Sequence, residues 1–221
     1  LWIAEYFQGF EMKNTPYDYK HRLDVKPVSW VDFHGICKGL VVAVATYNPD
    51  FIVAIGRGGF YPGTLLAHIL RVELQPVHLS RREEDVVTHD RPRWITRPSD
   101  VVRGARVLIV DEICDSGETL TIVKEAIQEM GASVVRTAVL YAHTWGAAVP
   151  DYVGLVTDAL ILNPWDREIW AEGGFQFHPE YIEALSEQDL EPTESLRINA
   201  PVIQPAKVYT GQQPAKPGDS S

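Results

Sequence analysis

Asp111, Glu112, Asp115, Ser116, Gly117 and Thr119 all fall within one stretch, VLIVDEICDSGETL, from Val107 to Leu120. Backbone N–H groups at the start of a helix lack intrahelical partners, and the helix dipole favours negative charge there. Ser116 and Thr119 add hydroxyl donors, and Gly117 lets the backbone approach a ligand closely. The turn DSGET, residues 115–119 with Glu118 inside it, therefore suits a phosphate monoester. Carboxylates are wrong for an anion alone. They accept hydrogen bonds from sugar hydroxyls, and they hold Mg2+ directly or through water. A phosphate on one side and the Asp111–Glu112 pair on the other fit a sugar phosphate. The plain alternative is an ordinary strand–turn–helix with a polar capping loop.

Three further stretches carry chemistry-bearing residues. AIGRGGFYPG, Ala54 to Gly63, offers Arg57, Gly58 and Gly59, an arginine with two glycines suited to a multi-oxygen anion. Its spacing excludes the G-x-G-x-x-G fingerprint of dinucleotide sites; a structural turn is the other reading. NPWDREIW, Asn163 to Trp170, places Asp166 between Trp165 and Trp170. The tryptophans can equally be core and Asp166 a turn residue. His143 lies in YAHTWG, where a neutral imidazole can donate one hydrogen bond or can be a satisfied structural histidine. Cys114 reads as a spacer.

These residues need elements to hold them. Ser29 with Asp32 reads as a capping box, followed by Phe33, Ile36, Cys37, Leu40, Val41 and Val44 at helical spacing; the helix stops before Asn48-Pro49. FIVAI (51–55), PVHLS (76–80), RVLIVD (106–111), VVRTAVLYA (134–142) and ALIL (159–162) read as five strands of one sheet. Helices are expected near Pro62, after residue 117 with Leu120, Val123, Ala126, Ile127 and Met130 on one face and Gly131 at its end, and over 179–185. Strands alternating with helices give an α/β fold, a mostly parallel twisted sheet with helices on both faces. Ligands gather at the carboxyl ends of such strands, where Asp111 and Glu112 lie. The polar stretch 81–100 has the length of a functional lid.

The chain has 221 residues, is 45% hydrophobic and 23% charged, and carries a formal net charge of -10. That balance argues against a nucleic-acid partner, whose binders are usually basic. Cys37 and Cys114 give no disulfide framework and no paired zinc ligands, so reduced thiols in the cytoplasm are expected. The longest apolar runs, such as Leu40 to Ala45, are too short to cross a bilayer. YFQG, Tyr6 to Gly9, resembles a tag-protease site, so residues 1–11 are taken as a non-native leader. Residues 12–186 are expected to form one domain, and 187–221 an extended or disordered tail.

VLIVDEICDSGETL resembles the signature of the type I phosphoribosyltransferases, which bind 5-phosphoribosyl-1-pyrophosphate (PRPP): an apolar strand, two acids, a spacer, an acid, then Ser/Thr-Gly-x-Thr. The resemblance runs from about residue 24 to 180. It implies that Asp111 and Glu112 face the ribose hydroxyls and that Asp115, Ser116, Gly117, Glu118 and Thr119 wrap the 5′-phosphate. It also implies that Asp115 lies near N7 of a purine as general base. AIGRGGFYPG resembles the pyrophosphate loop, with Arg57, Gly58 and Gly59 matching. NPWDREIW resembles the hood of the 6-oxopurine enzymes, a small subdomain over about 143–180. Leu160 then falls at the base-stacking position, Ile161 at the backbone contact and Asp166 at the acid. His143 replaces the lysine that donates to O6 in close relatives, and Ser80-Arg81 replaces the Ser-Tyr pair of the mobile loop. The implied reaction joins PRPP to N9 of hypoxanthine, guanine or xanthine with Mg2+, yielding a nucleoside monophosphate and pyrophosphate. A homo-oligomer is implied too.

Overall fold

The structure is a computed structural model that describes residues 22–83, 86–191, 193, 196 and 197. The expected leader over 1–11 lies outside the described residues, as does the tail from 198. The chain runs β1 (Val25–Pro27), α1 (Trp30–Val44), β2 (Phe51–Gly56), α2 (Phe60–Leu70), β3 (Glu73–Ser80), β4 (Arg82–Glu83), β5 (Val86–Val87) and β6 (Arg93–Thr96). It continues through β7 (Arg106–Cys114), α3 (Glu118–Glu129), β8 (Val134–Ala142), β9 (Tyr152–Val156), β10 (Leu160–Leu162), β11 (Glu168–Ala171), β12 (Gly174–Phe177) and α4 (Pro179–Ser186).

Side chains alternate across a strand, and β7 shows what that demands. Val107 and Ile109 join one apolar cluster and Leu108 and Val110 the other, all four without solvent exposure. A strand apolar on both faces must be central and covered on both. On one face lie α1 and α2, whose Phe33, Cys37, Leu40, Val44 and Leu66 pack on Ile52, Leu108 and Leu140. On the other lies α3, with Val123 and Ile127 against Val53, Ile109 and Val139. The Ser29 capping box starts α1 as expected: Ser29 Oγ accepts from the Asp32 N–H at 3.1 Å, and Asp32 Oδ2 accepts from the Ser29 N–H at 3.1 Å.

The main sheet has six strands in the order β6-β3-β2-β7-β8-β9, parallel except for β6. After β2 the chain steps to β3 on one side; after β6 it returns to β7 on the other. The switch point therefore lies between β2 and β7.

Three details of the sequence reading change. Strand β9 was not foreseen. The strand at 160–162 is outside the main sheet, paired parallel with β1 (Val25 with Leu160, Pro27 with Leu162). The polar stretch 81–100 holds β4, β5 and β6, with a 3-10 turn beginning at Asp100. Of the stretch expected as a hood, about 143–180, β9 lies in the main sheet; β10 (paired with β1), the β11–β12 hairpin and α4 make up the rest. Arg167 ties it together by donating to the carbonyls of Val28 and Leu162. Trp165 anchors it to the domain, stacked on Tyr61 with ring centroids 4.4 Å apart and edge-on to Phe33 at 5.0 Å.

Candidate functional site

The loops after β2 and β7 flank the switch point and press on each other. An added Cβ at Gly58 would lie 1.7 Å from Glu112 Oε2, and one at Gly59 would lie 2.5 Å from the Ile55 carbonyl and 2.9 Å from Asp111 Cα. Only glycine allows the GRGG backbone this close to the two acids. The Gly56–Arg57 peptide is cis. Asp111 and Glu112 sit inside β7, which runs on to Cys114, rather than beyond its end.

Both acids are partly exposed, yet poorly solvated. Desolvation raises the Asp111 carboxyl to about 7, opposed by its bond from the Glu112 N–H. Desolvation, then the charges of Asp111 and Asp166, raise Glu112 to about 8. Asn163 Nδ2 donates to Glu112 Oε1, and the Tyr141 hydroxyl donates to Asn163 Oδ1 at 3.2 Å. Such a pair fits Mg2+: the donors are hard oxygens, and added positive charge would relieve them. Among the described residues no group of three or more His, Cys, Asp or Glu could cage a metal. Two carboxylates completed by substrate oxygens match how Mg2+ is commonly held.

The turn after β7 has the geometry of an anion cradle. Gly117 takes φ +83° and ψ 0° at the N-cap of α3, and no side chain caps the helix. The first-turn amides of such a helix start have no intrahelical acceptors. Ser116 Oγ makes only a long contact, 3.4 Å, with the Glu118 N–H. Thr119 lies in the first turn of α3, and Glu118 Oε1 is 3.5 Å from Nε of Arg91, which comes from the 81–100 stretch.

Asp115 faces a second turn, residues 143–149. Its Oδ1 accepts from Trp145 Nε1 at 2.9 Å and lies 3.9 Å from Arg22 Nη2. His143 stacks on Trp145, ring centroids 4.7 Å apart and 17° from parallel, and is 1% exposed. Its Nδ1 is 2.8 Å from the Thr157 carbonyl, which only accepts, so that nitrogen carries the proton. Burial, then the Arg22 charge, lower its pKa and keep the ring neutral. Neutral His143 then has no second N–H; its buried Nε2 is an acceptor without a partner among the described residues. In this state the ring N–H is spent on the Thr157 carbonyl.

In the hood, Asp166 joins the cleft. Desolvation raises its carboxyl; among the charges opposing that are His178 and Arg57. Leu160 and Ile161 do not join it by their side chains. They are 5% and 7% exposed, packed into separate apolar clusters. Trp145, Arg22, Asn163 and Arg91 escaped the sequence reading. Trp145 was findable, being an aromatic just past the end of a buried strand. Arg22 and Arg91 lie outside any recognisable spacing.

Comparison with known proteins shows the family and the fold. The profile of the phosphoribosyl transferase domain matches residues 35–178. A xanthine-guanine phosphoribosyltransferase of Nitratidesulfovibrio vulgaris is 30% identical over 151 residues, 66% of this chain and 86% of that protein. One from Gluconobacter oxydans is 29% identical over 144 residues, 63% of this chain and 83% of that protein. Among solved structures, a purine phosphoribosyltransferase of Pyrococcus horikoshii matches with TM-score 0.59 and 28% identity, over 68% of this chain and 99% of that one. A hypothetical protein of Neisseria gonorrhoeae with bound ppGpp matches with TM-score 0.56 and 25% identity, over 66% and 90%.

Proposed function

This chain belongs to the phosphoribosyl transferase domain family, and from that premise we propose that it is a purine phosphoribosyltransferase acting on a 6-oxopurine. It moves the 5-phosphoribosyl group of PRPP to N9 of the base. The bond from C1′ to the pyrophosphate oxygen breaks, the C1′–N9 bond forms, and the base gives up a proton. One observation carries the assignment of parts: Gly58 lies against Glu112 at the switch point with no room for a methyl group. A pyrophosphate loop and a pair of sugar-binding acids at that separation span the bond to be broken.

In this assignment the 115–119 turn holds the 5′-phosphate through backbone donors, with Ser116 and Thr119 beside them. Asp111 and Glu112 accept from the ribose hydroxyls. Arg57 with the Gly58–Gly59 backbone holds the pyrophosphate. Binding energy far from C1′ thus fixes the reacting geometry. Asp115 takes or electrostatically supports the proton shift at N7. Asp111 and Glu112 would hold Mg2+, directly or through water; when bound, it supplies charge that stabilises the departing pyrophosphate. Asp166 reads the 2-position of the base, where a carboxylate accepts from an amino group. The curated relatives above are named for xanthine and guanine, so those bases are expected ahead of hypoxanthine.

The test is a panel of xanthine, guanine, hypoxanthine, adenine and uracil with PRPP and Mg2+, followed by pyrophosphate release. Turnover confined to 6-oxopurines supports the proposal; turnover only with adenine or uracil overturns the base class. A second reading, a nucleotide-sensing protein of the same fold, is favoured by the similarity to the Neisseria protein with bound ppGpp. Tight nucleotide binding with no turnover on any base would select it. A homo-oligomeric state rests on the family resemblance and a cytoplasmic location on the two unpaired cysteines; sedimentation and cell fractionation test them. No helix among the described residues is long and apolar enough to cross a membrane.

A further inference from the structure

A base that lies beside Asp115 needs a flat apolar surface to lie on. The residue at the resemblance's stacking position, Leu160, is 5% exposed and packed with Leu162 and Ala184 in the hood. Trp145 is 52% exposed and already touches Asp115 through its indole N–H, at 2.9 Å. Its ring is held in place rather than loose. His143 supports it by parallel stacking, and the Arg22 guanidinium lies 5.4 Å from its centroid.

The turn that carries Trp145 is fastened at its start. The His143 N–H donates to the Cys114 carbonyl at 3.2 Å, and Thr144 donates to Asp158 through its N–H and its hydroxyl, each at 2.8 Å. Gly146 presses so closely on the 115–119 turn that an added Cβ would lie 2.0 Å from the Asp115 carbonyl oxygen. An aromatic plane fixed in this way costs little to order when a ligand arrives.

We propose that Trp145 is the base-stacking residue of the purine subsite, its indole supplying the aromatic surface for the purine in place of the residue at 160. The proposal rests on the purine reading above and deepens it. Part of the base-binding surface then comes from the loop after β8, beside the residue assigned to N7, rather than from the hood strand β10.

The experiment compares Trp145→Ala, Trp145→Leu and Trp145→Phe in the full chain, with guanine, PRPP and Mg2+. Base–aromatic stacking predicts that the Ala and Leu variants raise the KM for guanine about tenfold or more. Their KM for PRPP should stay within about twofold, because PRPP does not use the indole face. Trp145→Phe should recover most of the guanine KM. Separately, guanosine monophosphate should quench the tryptophan emission of the wild-type protein, and Trp145→Phe should lose that quench. A guanine KM within about twofold of wild type in Trp145→Leu, or an intact quench in Trp145→Phe, overturns the proposal. Wild-type protein that turns over no purine overturns the functional reading instead, and the quench still decides the place of Trp145.

Discussion

Asp115 and Glu112 are both acids of one strand-and-turn, yet their surroundings give them different work. Asp115 receives the Trp145 N–H and neighbours Arg22, so its carboxylate is supported where a purine nitrogen would sit. Asp115→Asn is expected to lower kcat by about 100-fold or more, the usual scale for a positioned acid–base group. Calorimetry should show PRPP binding largely retained; a kcat near wild type would remove Asp115 from the mechanism. Glu112 is poorly solvated. Desolvation moves its carboxyl from 4.5 to about 8. Across that interval the folded chain binds more protons than the unfolded one, so stability falls as pH rises from about 4.5 to about 8. Glu112→Gln removes that slope. It should raise Tm at pH 8 by about 2–4 °C for each kcal/mol recovered and change Tm little at pH 5, while PRPP affinity falls. Equal Tm shifts at the two pH values would contradict the assignment. At this scale the sequence was informative where residue types are themselves the chemistry, as in residues 111–119. It was silent on Trp145, because its meaning comes from Asp115 and His143 folding against it.

The elements show why. Val107 to Val110 announce a central strand by being apolar on both faces, and Ser29 with Asp32 announces a helix start through local hydrogen bonds. Both are properties of neighbours in sequence. Strand β7 extends to Cys114 because β8 continues to pair with it, Ile113 with Tyr141 and Cys114 with Ala142. That partner is far away in the chain. For the same reason Leu160–Leu162 could be read as a strand, but not as the partner of β1. Strand β9, a five-residue run with a central Gly154, carries too little alternation to stand out. The meeting of the loop after β2 with β7 is also non-local, and it gives a test. Gly58→Ala puts a methyl group on the Glu112 carboxylate. The loop must shift, so binding of PRPP and of pyrophosphate should weaken by about tenfold or more, the effect of lost close approach. Binding equal to wild type for both ligands would detach this loop from the site.

In the whole molecule, two apolar layers sandwich one sheet, and each layer hides a thiol. Cys37 is 0% exposed and Cys114 1%. Desolvation raises Cys37 to about 12; desolvation, then the charges of Asp111 and Asp115, raise Cys114 to about 11. Thiols so placed are inert. A thiol reagent at pH 8 is expected to label neither cysteine in the native protein and both in denaturant; rapid native labelling of Cys114 would show that the turn after β7 opens. The fold class was legible from the alternation of strands and helices, whereas the cleft was legible only as separate stretches of chain.

The two phosphate-loop stretches become neighbours through one long-range pairing, β2 beside β7, with Phe51 opposite Val107 and Ala54 opposite Val110. Closing so large a loop costs entropy before any contact repays it. Until that seam closes, a pentose phosphate meets only fragments of its receptor. Its affinity is therefore reserved for the finished fold, and the donor acts as a clamp on the seam. At 100 times its Kd it should add about 2.7 kcal/mol to unfolding, and Tm should climb with its concentration. A midpoint indifferent to saturating donor and magnesium would mean that the seam and the receptor are separate things.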